Sequence, residues 1–318
     1  MKLSDLSAAG FRDRLRLDGV FLRTGEFVYR IQSHVAYLAE PFRQLYADFL
    51  FIEHCDFSDF HLEVSKCRPL SEWFRPHVTV RQLGHFETTP VPVDQSVAYL
   101  EWSLNRCVFA QVYNRLLLHG AVLAREGRAV VIAGNSGAGK STLAAALALN
   151  GWRLLSDELT VVSPTDGSLM SLARPVALKN QSIELIQSLA DDAYFGPVAV
   201  TTAKGRVAHM RAPVSDPSKI AEPAWPACFV FVNFQAGKDI TVQEVSRAQA
   251  FTRLAELAGI NYGVLGELGF DTLSRAVDSA LCLDLEYGSL DQAMVFFDSE
   301  YSAILGLDQP TPAVDEHG

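Results

Sequence analysis

The run Gly134-Asn135-Ser136-Gly137-Ala138-Gly139-Lys140-Ser141-Thr142 constrains this chain more than any other stretch, because a loop of that composition works only between a strand and a helix. An apolar run at residues 129–133 leads into it, and a helix-forming run at 142–149 leaves it. That context separates a P-loop from a chance string of glycines. The glycines let successive backbone N–H groups turn inward around an anion, and the start of the following helix adds its partial positive charge. In such a loop Lys140 reaches the β and γ phosphates, and the Ser141 hydroxyl ligates magnesium. Residues 134–142 as a whole are therefore the candidate site for a nucleoside triphosphate.

Net charge is −10, and a nucleic-acid backbone wants a basic face, so nucleic acid is not the expected partner. No apolar run reaches the roughly eighteen residues of a membrane helix. The start, Met1-Lys2-Leu3-Ser4-Asp5, breaks into charge too early for a signal peptide. No membrane is expected, and the cytoplasm is the expected compartment. The cysteines Cys55, Cys67, Cys107, Cys228 and Cys282 include no C-x-x-C and are odd in number, as suits reduced thiols. His54, Cys55, His61 and Cys67 lie close in the chain but match no usual zinc spacing.

With 318 residues the chain has room for two domains. Residues 1–112 predict a smaller mixed α/β N-terminal domain without a nucleotide signature. Within it, Thr24-Gly25 predicts a hairpin turn. A helix is expected over 34–48, bent or restarted at Pro41, and strands over 59–65 and 77–83. Asp94 is expected to cap a long bridging helix with apolar positions Val97, Leu100, Leu104, Val108 and Val112. Alternation of Arg12, Arg14 and Arg16 predicts the solvated face of a strand, with Phe11, Leu15 and Leu17 behind it.

Residues 113–308 read as the α/β catalytic domain. Apolar runs at 116–123 and 129–133 joined by Arg125-Glu126-Gly127-Arg128 predict an antiparallel hairpin that ends in the P-loop. Strands are expected at 152–155, 159–163, 227–234 and 280–285, and helices at 247–258, 270–278 and 289–297. Residues 309–318, with two prolines, predict a loose tail.

Phosphoryl transfer needs more than a cradle, because a metal must sit between the phosphates and a group must orient or deprotonate the nucleophile. Asp157 and Glu158 follow an apolar strand and supply two carboxylates that project to opposite sides of the backbone. One suits the magnesium ion and its neighbour the incoming hydroxyl's proton. His119 is the third candidate, since it interrupts an apolar run in the strand expected to pair with the one entering the loop. A basic segment at 202–209, with Lys204, Gly205 and Arg206, has the composition of a lid.

His119-Gly120, then the P-loop with Lys140, then Gly151-Trp152-Arg153-Leu154-Leu155-Ser156-Asp157-Glu158 resemble the three motifs of the HPr kinase/phosphorylase catalytic domain. The chain is most similar to the HPr-kinase-related kinase A family. The resemblance implies a phosphoenolpyruvate-carboxykinase-like fold, ATP and Mg2+ as cofactors, and transfer to a serine of a small protein or peptide. It implies that Lys140 holds the phosphates, Ser141 and Asp157 the magnesium, that Glu158 accepts the proton and that His119 supports the acidic pair. It also implies a homo-oligomer, to which the helix from Asp94 would contribute an interface unless it packs within one chain. The sequence departs by placing Glu158 where the family has Asp. Arg174-Pro175-Val176-Ala177-Leu178-Lys179-Asn180 stands where the family has a Glu-x-Arg-Gly strand, and Glu184 is the nearest substitute. The glycine-rich segment linked to dephosphorylation is absent, so kinase activity without phosphorylase is expected. A small-molecule kinase on this scaffold and an ATPase or switch without acceptor remain the other readings.

Overall fold

The computed structural model describes residues 1–67 and 76–305, so the tail expected at 309–318 lies outside the described residues. The protein is a mixed α/β structure with several sheets. The chain opens with α1 (Ala8–Arg16) and continues through β1 (Val20–Thr24), β2 (Phe27–Ser33) and α2 (Ala36–Leu45). Then follow β3 (Phe60–Cys67), β4 (His77–Gln82), β5 (Phe86–Glu87), β6 (Val91–Pro92) and α3 (Ser96–Gln111). The strands form one sheet in the order β1-β2-β3-β4-β5, with β6 also on β4. Strand β3 buries every second side chain through Val64, the period of a strand with one face on a core. The helices and that face share one cluster built on Phe11, Leu22, Ile31, Phe42, Leu62 and Leu104.

Arg12, Arg14 and Arg16 lie on a helix rather than a strand. Ser7 caps it by accepting from the Gly10 N–H at 3.0 Å, and Phe11 and Leu15, four apart, are its buried side chains. The four-residue apolar spacing prevails over the two-residue charge spacing, and Leu17 is left 58% exposed. Helix α2 runs through Pro41 without restarting, held by the burial of Leu38, Ala39, Phe42 and Leu45. Helix α3 starts at Ser96, and Asp94 does not cap it. The chain enters by a single 3-10 turn, and Gln95, at the cap position, turns its amide to Thr201 instead. All five predicted apolar positions of α3 are buried within this chain.

Next come β7 (Leu116–His119), β8 (Ala121–Arg125), β9 (Arg128–Ala133), α4 (Lys140–Leu149), β10 (Arg153–Ser156), β11 (Leu159–Val162) and β12 (Leu169–Met170). They lead to β13 (Val176–Lys179), α5 (Gln181–Gln187), β14 (Ala199–Thr202), β15 (Gly205–Met210), β16 (Trp225–Phe234) and β17 (Thr241–Glu244). The described chain closes with α6 (Arg247–Leu265), α7 (Glu267–Asp278), β18 (Leu281–Tyr287), α8 (Leu290–Ser299) and α9 (Tyr301–Leu305).

The central sheet has the order β10-β8-β9-β16-β18-β17. Strands β9, β16 and β18 are parallel neighbours, and β8 meets β9 antiparallel through the predicted turn. The parallel strands are buried on both faces, as parallel strands usually are. Val130, Ile132, Val230 and Val232 pack with α4 and α8, while Val131, Phe229 and Phe231 pack with α6 and α7.

The apolar run at 116–123 is not one strand. It breaks at Gly120, where the chain leaves a three-stranded sheet, β12-β11-β7, and enters the central one. A Cβ at Gly120 would stand 3.0 Å from the Ile132 carbonyl oxygen, so a larger residue would crowd the switch between the sheets. Its N–H donates to the Glu158 carbonyl at 3.1 Å. Among the described residues no helix is long and apolar enough to cross a membrane.

Candidate active site

Strand β9 delivers the chain to the P-loop, and α4 leaves it. Gly134, Gly137 and Gly139 all have positive φ. At Gly139 the angle is 93° and a Cβ would meet the Tyr287 hydroxyl at 2.6 Å, so a larger residue is excluded twice over. Gly139 is the N-cap of α4, and no side chain caps this end. The N–H groups of the first turn are left for an outside acceptor, which is the donor set a phosphate requires. Lys140 folds back across the loop and donates to the carbonyl oxygens of Gly134 and Asn135 at 2.7 and 2.9 Å. Burial, and after it the charge of Lys179, pulls the Lys140 pKa below the ordinary lysine range.

The acidic pair sits in the turn between β10 and β11. The Ser156 hydroxyl oxygen accepts from the N–H groups of Glu158 and Leu159 and fixes that turn. Asp157 is buried, with one oxygen accepting from the Ala177 N–H at 2.8 Å. Burial, reinforced by the Glu158 charge, pushes its pKa up to about 6. Glu158 is only partly buried and faces the other way, where it accepts from the Asn105 side-chain amide of α3.

Strand β7 ends at His119, opposite Leu159 of β11. The histidine is therefore not on the strand beside β9, because the switch at Gly120 places it on the neighbouring sheet. That sheet carries it into the same cleft. Burial, then the nearby Lys140 ammonium, lowers its pKa, which favours the neutral imidazole at physiological pH.

A cleft of about 440 Å³ gathers these groups: His119, Lys140, Ser141, Asp157 and Glu158 line it, with Lys179 on the facing wall. Ser136, Gly137, Gly139 and Thr142 line it as well, whereas Gly134, Asn135 and Ala138 face a separate polar cavity on the other side of the loop. Thr142 and Ser182 hydroxyls lie 2.7 Å apart at its edge. The segment expected as a lid is the β14–β15 hairpin. Lys204 at its turn enters the cleft, 5.2 Å above the Trp102 ring. Glu184 is outside, paired with Arg206 at 2.7 Å.

Sequence reasoning missed what stands behind Glu158. Arg174, buried, donates to the Asn105 side-chain oxygen and to the Glu101 carbonyl, and its guanidinium lies 3.8 Å from the Glu101 carboxylate. Tyr46 donates to the other Glu101 oxygen at 2.7 Å. A polar chain thus runs from α2 through α3 to the cleft. Burial outweighs Arg174 and Tyr46 here, so the Glu101 pKa rises to about 7. One signal was available, since Glu101 and Asn105 are four apart and share the stripe begun by apolar Val97.

The family model for the SynChlorMet cassette protein ScmC matches residues 91–177. That stretch holds α3, the P-loop, the acidic pair and Arg174. No curated protein matches the chain. Among solved structures the chain is similar to the Hpr(Ser) kinase/phosphatase from Coxiella burnetii, at 10% identity and a TM-score of 0.29, covering 61% of this chain and 99% of that one. A likeness of that degree carries no argument, and the functional reading rests on the cleft.

Proposed function

We propose that the protein is an ATP-dependent kinase that transfers the γ-phosphate to a hydroxyl, with a serine of a small protein or peptide as acceptor. One observation carries this reading: Lys140, Ser141, Asp157 and Glu158 line a single cleft whose floor is an uncapped helix N-terminus. A nucleotide-binding loop alone would need no second carboxylate beside it. In this reading residues 113–308 form the catalytic domain and residues 1–112 an N-terminal domain that contributes Trp102 of α3 to the cleft wall.

The oxygen donors Ser141 and Asp157 are of the hard type that Mg2+ prefers, and they would hold it. When bound, the ion neutralises charge on the phosphate oxygens. The first-turn amides of α4 and Lys140 orient the triphosphate. Glu158 faces away from Asp157 and takes the proton of the acceptor hydroxyl as its oxygen forms the new O–P bond. The bond from the γ-phosphorus to the bridging oxygen breaks, and that electron pair leaves with ADP. His119, uncharged, lines the same cleft and supports the acidic pair.

The test is to incubate the protein with γ-labelled ATP and a lysate of the organism that encodes it. Label on a small protein supports the proposal, and label on a metabolite makes it a small-molecule kinase. Free labelled phosphate alone would overturn it in favour of an ATPase.

A further inference from the structure

Beyond Glu158 a second cavity of about 470 Å³ adjoins the phosphate cleft. The two share His119, Glu158, Trp102 and Lys204 as common walls. A group resting in the second cavity therefore lies against the carboxylate that also faces the phosphates. Its character differs from that of the cleft. Leu117 and Leu118 of β7 and Leu257 of α6 form its floor, and Phe109 forms its rim. Phe109 is 50% exposed, a large ring held at the edge of an apolar hollow. Arg106 also lines it, but the guanidinium stacks on Phe86, 4.4 Å from the ring centroid, outside the hollow's apolar floor.

Trp102, Asn105, Arg106 and Phe109 recur at three- and four-residue steps, so one face of α3 builds this wall. Phe109 and Arg106 on that face are exposed, while Trp102 packs against the small cluster of Ala98, Ala199 and Val207.

We propose that this cavity is the acceptor subsite, and that it takes a hydroxyl carried beside an uncharged, apolar body. The proposal rests on the kinase reading above. Two physical terms select that class. An anionic neighbour would meet the Glu158 carboxylate at the entrance, and the two cations on the lining are engaged on rings, Arg106 on Phe86 and Lys204 on Trp102. It would also lose water against Leu117, Leu257 and Phe109 with no hydrogen-bond partner among them. An apolar neighbour gains there by burial alone. Its hydroxyl proton passes to Glu158, its oxygen bonds the γ-phosphorus, and ADP departs with the bridging oxygen. Lys204, common to both cavities, lies where the phosphoryl group crosses.

The same chemistry reaches the site from a peptide or from a free alcohol, and calorimetric titration separates the two. Each probe is titrated into the full chain saturated with a non-hydrolysable ATP analogue and Mg2+. The probes are N-acetyl-Ser-Phe-amide, N-acetyl-Ser-Asp-amide and 3-phenylpropan-1-ol. The expected result is binding of the Ser-Phe probe about tenfold or more tighter than the Ser-Asp probe, the scale of a buried apolar contact against a buried charge. Phe109→Glu should weaken the Ser-Phe probe by about tenfold while the analogue's affinity stays within about twofold, which shows that the fold is intact. Phenylpropanol binding as tightly as the peptide would identify a free alcohol as the source, and peptide binding alone would identify a protein. Equal binding of the two peptides, no binding of any probe, or an unchanged Phe109→Glu variant overturns the subsite and leaves the kinase reading standing. Failure of the ATP analogue itself to bind overturns that reading, and the subsite with it.

Discussion

The Asn105 side chain donates to the Glu158 carboxylate while its carbonyl oxygen accepts from Arg174. A carboxylate only accepts and a guanidinium only donates, so the amide has one orientation available. Asn105 therefore fixes where the Glu158 oxygens point. It is a positioning residue for that carboxylate, and it stands on the wall of the second cavity.

Replacing it tests that role. Asn105→Ala should lower kcat by about ten- to a hundredfold, the range for a misplaced general base. The KM for ATP should stay within about twofold. Equal losses in kcat and ATP affinity would indicate a purely structural role. Steady-state kinetics at varied ATP decide it.

Glu158→Gln keeps the shape and removes the proton acceptor. ATP-analogue binding should persist while transfer falls by about a thousandfold. Near-normal transfer would mean that the proton goes elsewhere. Single-turnover transfer of labelled phosphate is the measurement.

Lys140→Ala should act differently, reducing nucleotide affinity by about tenfold or more together with turnover, because its charge-assisted contacts serve both. An unchanged Kd for the ATP analogue would count against the phosphate-holding role.

Glu101 gives the fold a pH dependence of its own. Its folded pKa is raised to about 7, by burial first, while in the unfolded chain the carboxyl titrates near the ordinary value of about 4. Between those values the folded state binds more protons than the unfolded one. The contribution from this group is therefore fully present below the unfolded pKa and is lost as pH rises through about 7. Urea unfolding at acid and alkaline pH should show wild type losing more stability on the rise than Glu101→Gln, whose amide is always neutral. Parallel losses in the two proteins would overturn this assignment.

Much of the donor side was legible in advance. A glycine loop between an apolar run and an alanine-rich helix has few folded outcomes, and the acidic pair follows the next strand in order. Four things escaped. The split at Gly120 was hidden because an unbroken apolar run carries no mark of which sheet each half joins. Arg12, Arg14 and Arg16 misled because the period of their charges competed with the four-residue step from Phe11 to Leu15. The link from Asn105 to Glu158 spans 53 positions, and nothing local at either residue announces it. Lys179 was visible only as a basic residue in an apolar strand, since its place on the cleft wall follows from the pairing of β13 with β15.

The fold-back of Lys140 onto Gly134 and Asn135 means that the resting loop already contains a cation satisfied by its own carbonyls. In the kinase reading a polyphosphate would enter by ligand exchange, and its net affinity would be the difference between two sets of contacts. Orthophosphate, with a single phosphoryl group, offers fewer replacements for the bonds that must be surrendered. In that reading, selection for a long anion would be set in the ground state of the loop, before any base or sugar is read.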